Sequence, residues 1–237
     1  MRHPPLTEDA VVVSLCDRTG NMVQPWAMAG FPCLCVDVHH PQRTPRVTGN
    51  IAYTWGDVRT WVPPKAWRRK VGILFAFPPC THVARSGARD FITKGTALLR
   101  DSLELFSACY SAAQWAGCPY LIENPVGAFS SHIRKPDLVV QPWQYGDNYA
   151  KKTCLWTGNG FQMPAPTVDK EPEGVRSEVW MMPPAEDRQD KRSVTPMGLA
   201  KAVFRANVGQ VRAYGRGIAR ERKVGMAEER VRELRKG

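Results

Sequence analysis

The stretch Ile73-Leu74-Phe75-Ala76-Phe77-Pro78-Pro79-Cys80-Thr81-His82 decides how this chain folds. Its apolar first half predicts a buried strand, and the two prolines stop that strand because proline has no backbone N–H. Cys80 is therefore expected at a strand's carboxyl end, the edge where open α/β sheets bind their ligands. A second apolar run, Tyr120-Leu121-Ile122-Glu123-Asn124-Pro125, ends in a carboxylate. A thiol and a carboxylate at the ends of two strands of one sheet can act as a nucleophile and an acid.

Strands and helices alternate on both sides of these two runs. The predicted strands cover 11–16, 33–38, 73–80, 120–125 and 152–158, and the predicted helices cover 21–29, 99–113 and a segment that starts at Thr195. Gly30 and Gly117 are expected to end the first two helices, since glycine adopts the left-handed conformation at helix ends without strain. This alternation predicts an α/β fold with a doubly wound, mostly parallel sheet.

Length and composition predict one main domain. A chain of 237 residues with 43% hydrophobic content can bury one full core. We expect this domain to cover 1–211, with 159–192 as a loop-rich insertion that contains little core material. The remainder, 212–237, is strongly basic and is expected to form a helix or an arm.

Charge and cysteine content limit the class of partner. The net charge of +11 indicates a polyanionic partner such as nucleic acid, although a solvated basic surface is the simpler alternative. The seven cysteines contain no Cys-x-x-Cys pair, so we expect a reduced, cytoplasmic protein without a metal site. No apolar run approaches membrane-spanning length and the first residues lack a signal-peptide pattern, so no membrane partner is expected.

Several motifs resemble those of a known family, the cytosine-C5 DNA methyltransferases. Pro78-Pro79-Cys80 resembles that family's Pro-Cys nucleophile motif, and Glu123-Asn124-Pro125 resembles its Glu-Asn-Val motif. Arg192-Ser193-Val194-Thr195-Pro196 resembles the segment before its closing helix, while Lys151-Lys152-Thr153-Cys154-Leu155-Trp156 is similar to the small phage-encoded members. The resemblance extends over 11–207 and rests on the order and spacing of the motifs together.

The resemblance implies a fold, a cofactor and a set of site residues. It implies the Rossmann-like fold of S-adenosylmethionine-dependent methyltransferases, with Cys80 as the thiol that adds to C6 of cytosine and Glu123 as the partner of the ring N3 and amine. By resemblance, the residues that bind S-adenosyl-L-methionine are Asp17, Gly20, Asp37, Asp57 and Pro78. The residues expected to contact the substrate, double- or single-stranded DNA, are Arg85, Arg89, Asn124, Lys151 and Lys152.

The chain also departs from the family pattern. Cys16-Asp17-Arg18-Thr19-Gly20 replaces the usual Phe-x-Gly-x-Gly loop, and 158–191 is too short to hold a large target-recognition domain. Two other functions therefore stay open: pyrimidine modification of free nucleotides or single strands, and DNA binding without catalysis. Transfer of a modified methyl group is a third alternative. Trp26, Trp55 and Trp156 could each stack on a base or cofactor, but core packing is the expectation for all three.

Overall fold

The computed structural model describes residues 10–67, 69–84, 91–175 and 194–234. The strands are β1 (Val11–Leu15), β2 (Cys33–Asp37), β3 (Arg46–Thr48), β4 (Ile51–Trp55), β5 (Val71–Ala76), β6 (Tyr120–Pro125), β7 (Leu138–Val140) and β8 (Thr153–Gly158). The α-helices are α1 (Gln24–Met28), α2 (Phe91–Ala116), α3 (Phe129–His132) and α4 (Met197–Leu234). Short 3-10 turns cover Asn21–Val23, Lys65–Trp67 and Pro142–Tyr145.

Within the described residues, the eight strands form one sheet in the order β3-β4-β2-β1-β5-β6-β8-β7. β4, β2, β1, β5 and β6 are mutually parallel, whereas β3 and β8 run antiparallel to their neighbours. From β1 the chain builds outward on one side through β2 and β4, and then crosses to β5 and β6 on the other. The junction of β1 and β5 is thus a topological switch point, where ligands bind in such sheets. The predicted doubly wound, mostly parallel, Rossmann-like sheet is confirmed.

Side chains alternate along the strands between two apolar layers, because successive strand residues point to opposite faces. Val12 and Phe75 face α1 and α4, whereas Val13 and Leu74 face α2. In the first layer Trp26 is fully buried, with its ring centroid 5.5 Å from that of Phe31 and 5.1 Å from that of Phe204. Each large side chain buried in this way contributes about 1.5–3 kcal/mol.

Helix α2 covers the second layer and carries the chain from β5 to β6. Phe106 and Ala113, two residues of the predicted apolar face, are buried together with Cys109, whereas Tyr110, which was expected on the same face, is 43% exposed. The helix ends where Gly117 takes a positive φ of 65°, as expected. Because the helix runs back along the sheet, β6 starts at the same edge as β5 and the two strands are parallel.

The strand before Cys80 is shorter than predicted. β5 ends at Ala76, and the Phe77 N–H then donates to the carbonyl of Leu15 at 3.0 Å. Pro78 and Pro79 follow and cannot donate to the ladder. Cys80 therefore lies in the loop past the strand rather than at its last residue. We refer to residues 77–84 as the Cys80 loop.

Helix α4 is longer than the segment predicted from Thr195. It begins at Met197, where the side chain of Asp147 accepts a 3.0 Å hydrogen bond from the Gly198 N–H, and it runs unbroken to Leu234. The predicted boundary at residue 212 therefore falls inside one helix; the domain limits themselves stay a prediction. In the described part of the chain, no helix is long and apolar enough to cross a membrane.

Candidate active site

The Cys80 loop is joined to the segment that follows β6. The Cys80 carbonyl accepts hydrogen bonds from the N–H groups of Val83 (3.1 Å) and Ala84 (3.0 Å), which closes a tight turn. The Val83 carbonyl in turn accepts a 2.8 Å bond from the Ala128 N–H, and Ala84 forms a bridge with Gly127. A Cβ on Gly127 would overlap the carbonyl oxygen of Val83. Only glycine allows the two backbones to approach this closely, so this contact sets the position of the loop.

Asn124 makes a second connection between the same two segments. Its side-chain amide donates to the Pro78 carbonyl at 2.5 Å, and the residue is 1% exposed. Asn124 follows Glu123 directly, and Pro78 precedes Cys80 by two residues. The amide therefore holds the thiol loop beside the carboxylate strand. The predicted contact of Asn124 with a substrate stays a prediction.

Glu123 lies inside β6, where its backbone pairs with Leu155 of β8. The side chains of Glu123 and Lys151 are each 12% exposed, and the Lys151 Nζ lies 3.8 Å from the Glu123 Oε1. That distance permits an ion pair but is too long for a hydrogen bond. Glu123 Oε1 is buried and has no hydrogen-bond partner among the described residues. The carboxylate is thus fixed in place by its strand and still has an oxygen available to a ligand.

Buried polar atoms without partners are concentrated around this point. Among the described residues six such side-chain atoms occur, and three of them are His82 Nδ1, Glu123 Oε1 and Asn124 Oδ1. Each buried group left without a hydrogen bond costs about 1–3 kcal/mol, so folded proteins usually avoid them. Their accumulation at the ends of β5 and β6 is typical of a site whose ligand supplies the missing partners. His82 was not assigned a role from the sequence, although its position two residues after Cys80 was a signal for one.

Asp17 shapes the loop that follows β1. Its carboxylate accepts hydrogen bonds from the Ser14 hydroxyl (2.6 Å), the Gly20 N–H (2.7 Å) and the Thr19 N–H (3.1 Å). Burial raises the pKa of Asp17, and these donors oppose that rise. Gly20 has a φ of 74°, and a Cβ there would lie 2.7 Å from the Tyr53 hydroxyl oxygen. The structure therefore gives Asp17 and Gly20 a role in folding this loop; their predicted contact with a cofactor stays a prediction.

Asp37 and Asp57 lie at the carboxyl ends of neighbouring strands but in different surroundings. Asp37 Oδ1 accepts a 2.8 Å bond from the His39 N–H and lies 2.7 Å from the His39 Nδ1. Asp37 Oδ2 has no partner among the described residues. Both oxygens of Asp57 face the Arg59 guanidinium, at 2.9 Å for the Nε–Oδ1 pair, and this lowers the pKa of Asp57. Asp37 thus has an oxygen available to a ligand, whereas Asp57 is already neutralised.

Of the three tryptophans that were expected in the core, Trp55 is the one that lies outside it. Trp26 and Trp156 are buried as expected, but Trp55 is 39% exposed at the end of β4. There it pairs in register with Asp37 on β2. The core prediction was wrong for Trp55 because β4 extends two residues beyond its buried part. An exposed indole beside a free carboxylate oxygen suits a planar ring with a polar group attached.

The remaining predicted site residues are placed as follows. Pro78 is buried, and its carbonyl is occupied by Asn124. Lys152 is exposed next to Lys151, and Cys80 is partly exposed. Arg85 and Arg89 lie outside the described residues. The structure therefore brings Cys80, Glu123, Asn124 and Lys151 to one edge of the sheet, while their functional roles stay predictions.

Comparison with known proteins adds little to this geometry. No protein-family model matches the chain. No curated protein matches it. Among solved structures, the chain is similar to the glycopeptide N-methyltransferase MtfA, crystallised with S-adenosyl-L-methionine. That alignment has 11% identity and a TM-score of 0.27, and it covers 62% of this chain and 64% of MtfA. Because this similarity is so low, the fold assignment rests on the strand order and crossovers described above.

Proposed function

We propose that this chain is an S-adenosylmethionine-dependent methyltransferase that methylates C5 of cytosine in DNA through a covalent bond to Cys80. The observation that carries the proposal is that the Cys80 loop is held against the end of β6, the strand that contains Glu123. Asn124 ties the loop to β6 at Pro78, and the preceding residue, Glu123, has a buried Oε1 without a hydrogen-bond partner among the described residues. The sequence motifs and the confirmed fold class support the same function.

Cys80 would act as the nucleophile. C5 of cytosine is a weak nucleophile until a thiolate adds to C6, which turns the C5–C6 unit into an enamine. The Sγ–C6 bond would form, and C5 would take up the methyl group as the donor's S–CH3 bond breaks and its electron pair stays on the donor sulfur. A base would then remove the C5 proton, and the Sγ–C6 bond would break to restore the ring. Cys80 suits this role because it is partly exposed in a loop, whereas Cys33, Cys118 and Cys154 are buried and burial raises the pKa of each thiol.

Glu123 would stabilise the charge that builds up on the ring. A carboxyl group held within β6 can hydrogen-bond N3 and the exocyclic amine, and it donates to N3 when it is protonated. Its unpartnered Oε1 would gain the hydrogen bond that the described protein residues do not provide. Lys151, 3.8 Å away, is close enough to contribute positive charge on the same side.

The carboxyl edge of β1, β2 and β4 would hold the cofactor. When bound, S-adenosyl-L-methionine supplies an electrophilic methyl group on a sulfonium. Asp37 Oδ2 would accept hydrogen bonds from the ribose hydroxyls, as acidic residues at this strand position do. The exposed face of Trp55 would stack on the adenine, in place of the aromatic residue that the loop after β1 lacks.

The function is tested by mass spectrometry of the products. We expect 5-methylcytosine in duplex DNA incubated with the full chain and S-adenosyl-L-methionine, and no product from deoxycytidine monophosphate. A base within a duplex would have to be flipped out to reach Cys80. Methylation of the mononucleotide alone would favour the nucleotide-modifying alternative, and a heavier group on C5 would indicate an altered donor.

The cofactor assignment gives a separate prediction. Asp37→Ala is expected to weaken binding of S-adenosyl-L-methionine by about 1.5–3 kcal/mol, roughly 10- to 150-fold, since a hydrogen bond to a charged group is lost. Calorimetry with the free cofactor measures this without any reaction. For Asp57→Ala we expect a loss of cofactor affinity in the same range, if Asp57 releases Arg59 and binds the adenine amine. Asp169→Ala removes an exposed carboxylate and serves as the control. Unchanged affinity in both Asp37→Ala and Asp57→Ala would contradict the assignment.

A further inference from the structure

Helix α4 extends from the candidate active site to the opposite edge of the sheet and beyond. Next to its first turn, the Asn21 amide of the loop after β1 donates to the Thr195 carbonyl at 3.3 Å. Further along, Val211 is 1% exposed and packs on Gly72 at the start of β5, the amino edge of the sheet. From Arg220 to Met226 every side chain is exposed. The distal part of α4 therefore projects past the domain.

Five basic side chains lie along one side of this helix. At 100° per residue, Arg205, Arg212, Arg216, Arg220 and Lys223 fall within an arc of about 80°. All five are exposed. We call them the basic stripe. Its length is roughly 27 Å at about 1.5 Å per residue, which matches about eight base pairs of B-form DNA. Glu221 lies on the opposite side of the helix and does not interrupt it.

The charges of the stripe are largely uncompensated. Among the described residues, no carboxylate forms an ion pair with Arg205, Arg216, Arg220 or Lys223. Arg212 donates to the Ala29 carbonyl at 3.5 Å and lies 5.7 Å from the centre of the Phe31 ring. A row of like charges costs free energy through mutual repulsion, so it is best explained by a partner that carries a matching row of negative charge.

We propose that the basic stripe on α4 binds the phosphate backbone of duplex DNA, on a surface separate from the pocket around Cys80. A regular line of phosphates suits a regular line of guanidinium and ammonium groups, and release of condensed counterions provides the free energy. An anionic membrane fits less well, because a membrane-surface helix needs one continuous apolar face. The apolar side chains Tyr214, Ile218, Val224 and Met226 fall within an arc of about 200° opposite the stripe, but Glu221 and Arg222 lie inside that arc, so no continuous apolar face forms.

This inference rests on the proposed function only in the choice of DNA as the polyanion. The proposal also gives the basic stripe a function. Because the chain has little room for a recognition domain, it would hold its substrate through contacts that do not read the base sequence. Phosphate contacts fix position without base specificity. Binding is therefore expected to be strong at low salt and nearly independent of DNA sequence.

The test compares two variants with equal loss of charge. The stripe variant combines Arg205→Gln, Arg216→Gln and Arg220→Gln; the control combines Lys65→Gln, Lys135→Gln and Lys170→Gln, three exposed lysines away from α4. Binding of a fluorescent duplex of about two helical turns to the full chain is measured by anisotropy against salt, without cofactor. We expect the stripe variant to bind on the order of a hundredfold more weakly at about 0.1 M salt, with a log–log slope flatter by about 2.7. The control should keep wild-type affinity and slope.

Each other outcome has a defined meaning. Equal losses in the two variants would show that net charge alone matters, and no loss in either would show that the stripe does not contact DNA; both overturn the proposal. If the stripe variant no longer binds phosphatidylglycerol vesicles but still binds DNA, the stripe binds membranes, and this result also overturns the proposal. Because no methyl transfer is measured, failure of the proposed function is seen separately in the product analysis.

A shortened chain gives a second measurement of the same surface. Ending the chain after Gly217 removes Arg220 and Lys223 but keeps Val211 and Tyr214, which pack against the domain. A thermal melt close to that of the full chain, together with a flatter salt slope for DNA, is the expected result. An unchanged slope with an unchanged melt would contradict the proposal. A cut after Gly209 is unsuitable, because it removes Val211 from the core.

Discussion

Cys80→Ser is expected to abolish methyl transfer, with a rate loss on the order of 10⁴-fold or more. The serine hydroxyl is far less acidic than a thiol, so it does not supply the anion that adds to C6. The fold and the affinity for S-adenosyl-L-methionine should be unchanged, because Cys80 is partly exposed in a loop and, in the proposed mechanism, reacts only with the base. Radiolabel transfer into duplex DNA measures the activity, and calorimetry measures the cofactor affinity.

The covalent step has its own observable. DNA with 5-fluorocytosine should trap the chain, because the fluorine cannot leave as a proton does, and the adduct mass should map to the peptide that contains Cys80. Thr81→Ser alters the adjacent residue, keeps its hydroxyl and should retain activity. Wild-type activity in Cys80→Ser, or an adduct on another cysteine, would show that the nucleophile is assigned wrongly.

Gly127→Ala is expected to lower the free energy of unfolding by about 1–3 kcal/mol, the range for a side chain forced into filled space. The new methyl group would overlap the carbonyl oxygen of Val83, so the Cys80 loop must move away from the end of β6. We therefore expect a lower melting temperature and reduced trapping by 5-fluorocytosine DNA in the same variant. Urea unfolding followed by tryptophan fluorescence gives the stability.

Gly209→Ala is the matched control. Gly209 lies within α4, and no atom lies within 4 Å of the Cβ that alanine would add. Alanine in an open helical position stabilises by about 0.5–1 kcal/mol, so this variant should melt slightly higher than the wild type. If both glycine variants unfold at the wild-type denaturant concentration, the contact between Gly127 and Val83 does not constrain the loop.

The parts of the fold that the sequence predicts are those with strong local patterns. The apolar face of α2 repeats every three to four residues and is followed by Gly117, so both its presence and its end were predicted. β4 was not predicted, although its first three residues are buried. β3 and β7 were also missed, because each has only three residues and most of their side chains are not buried. Their position is set by pairing with β4 and β8, which a local pattern does not encode.

In the candidate site too, local patterns predicted some features, whereas contacts between distant segments could not be predicted. Cys80 and Glu123 were found because each follows an apolar run that must be a buried strand. The bond from Asn124 to Pro78 spans 46 residues and depends on how the two strand ends meet in space. Likewise, the family resemblance predicted a cofactor contact for Asp17, but the sequence did not show that the carboxylate accepts hydrogen bonds from its own loop. Contacts between distant segments decide which predicted residues have atoms available to a ligand.

The contact between Asn21 and Thr195 also bears on the order of folding. It joins residues 174 positions apart, at the loop after β1. On a ribosome the first five strands in the chain emerge well before α4, and until then Trp26 and Phe31 lack the apolar layer that covers them. Such long-range closure slows folding and exposes apolar surface to aggregation. We therefore infer that a nascent chain acquires its finished loop after β1 late in translation, which makes heterologous yield sensitive to temperature and to chaperones.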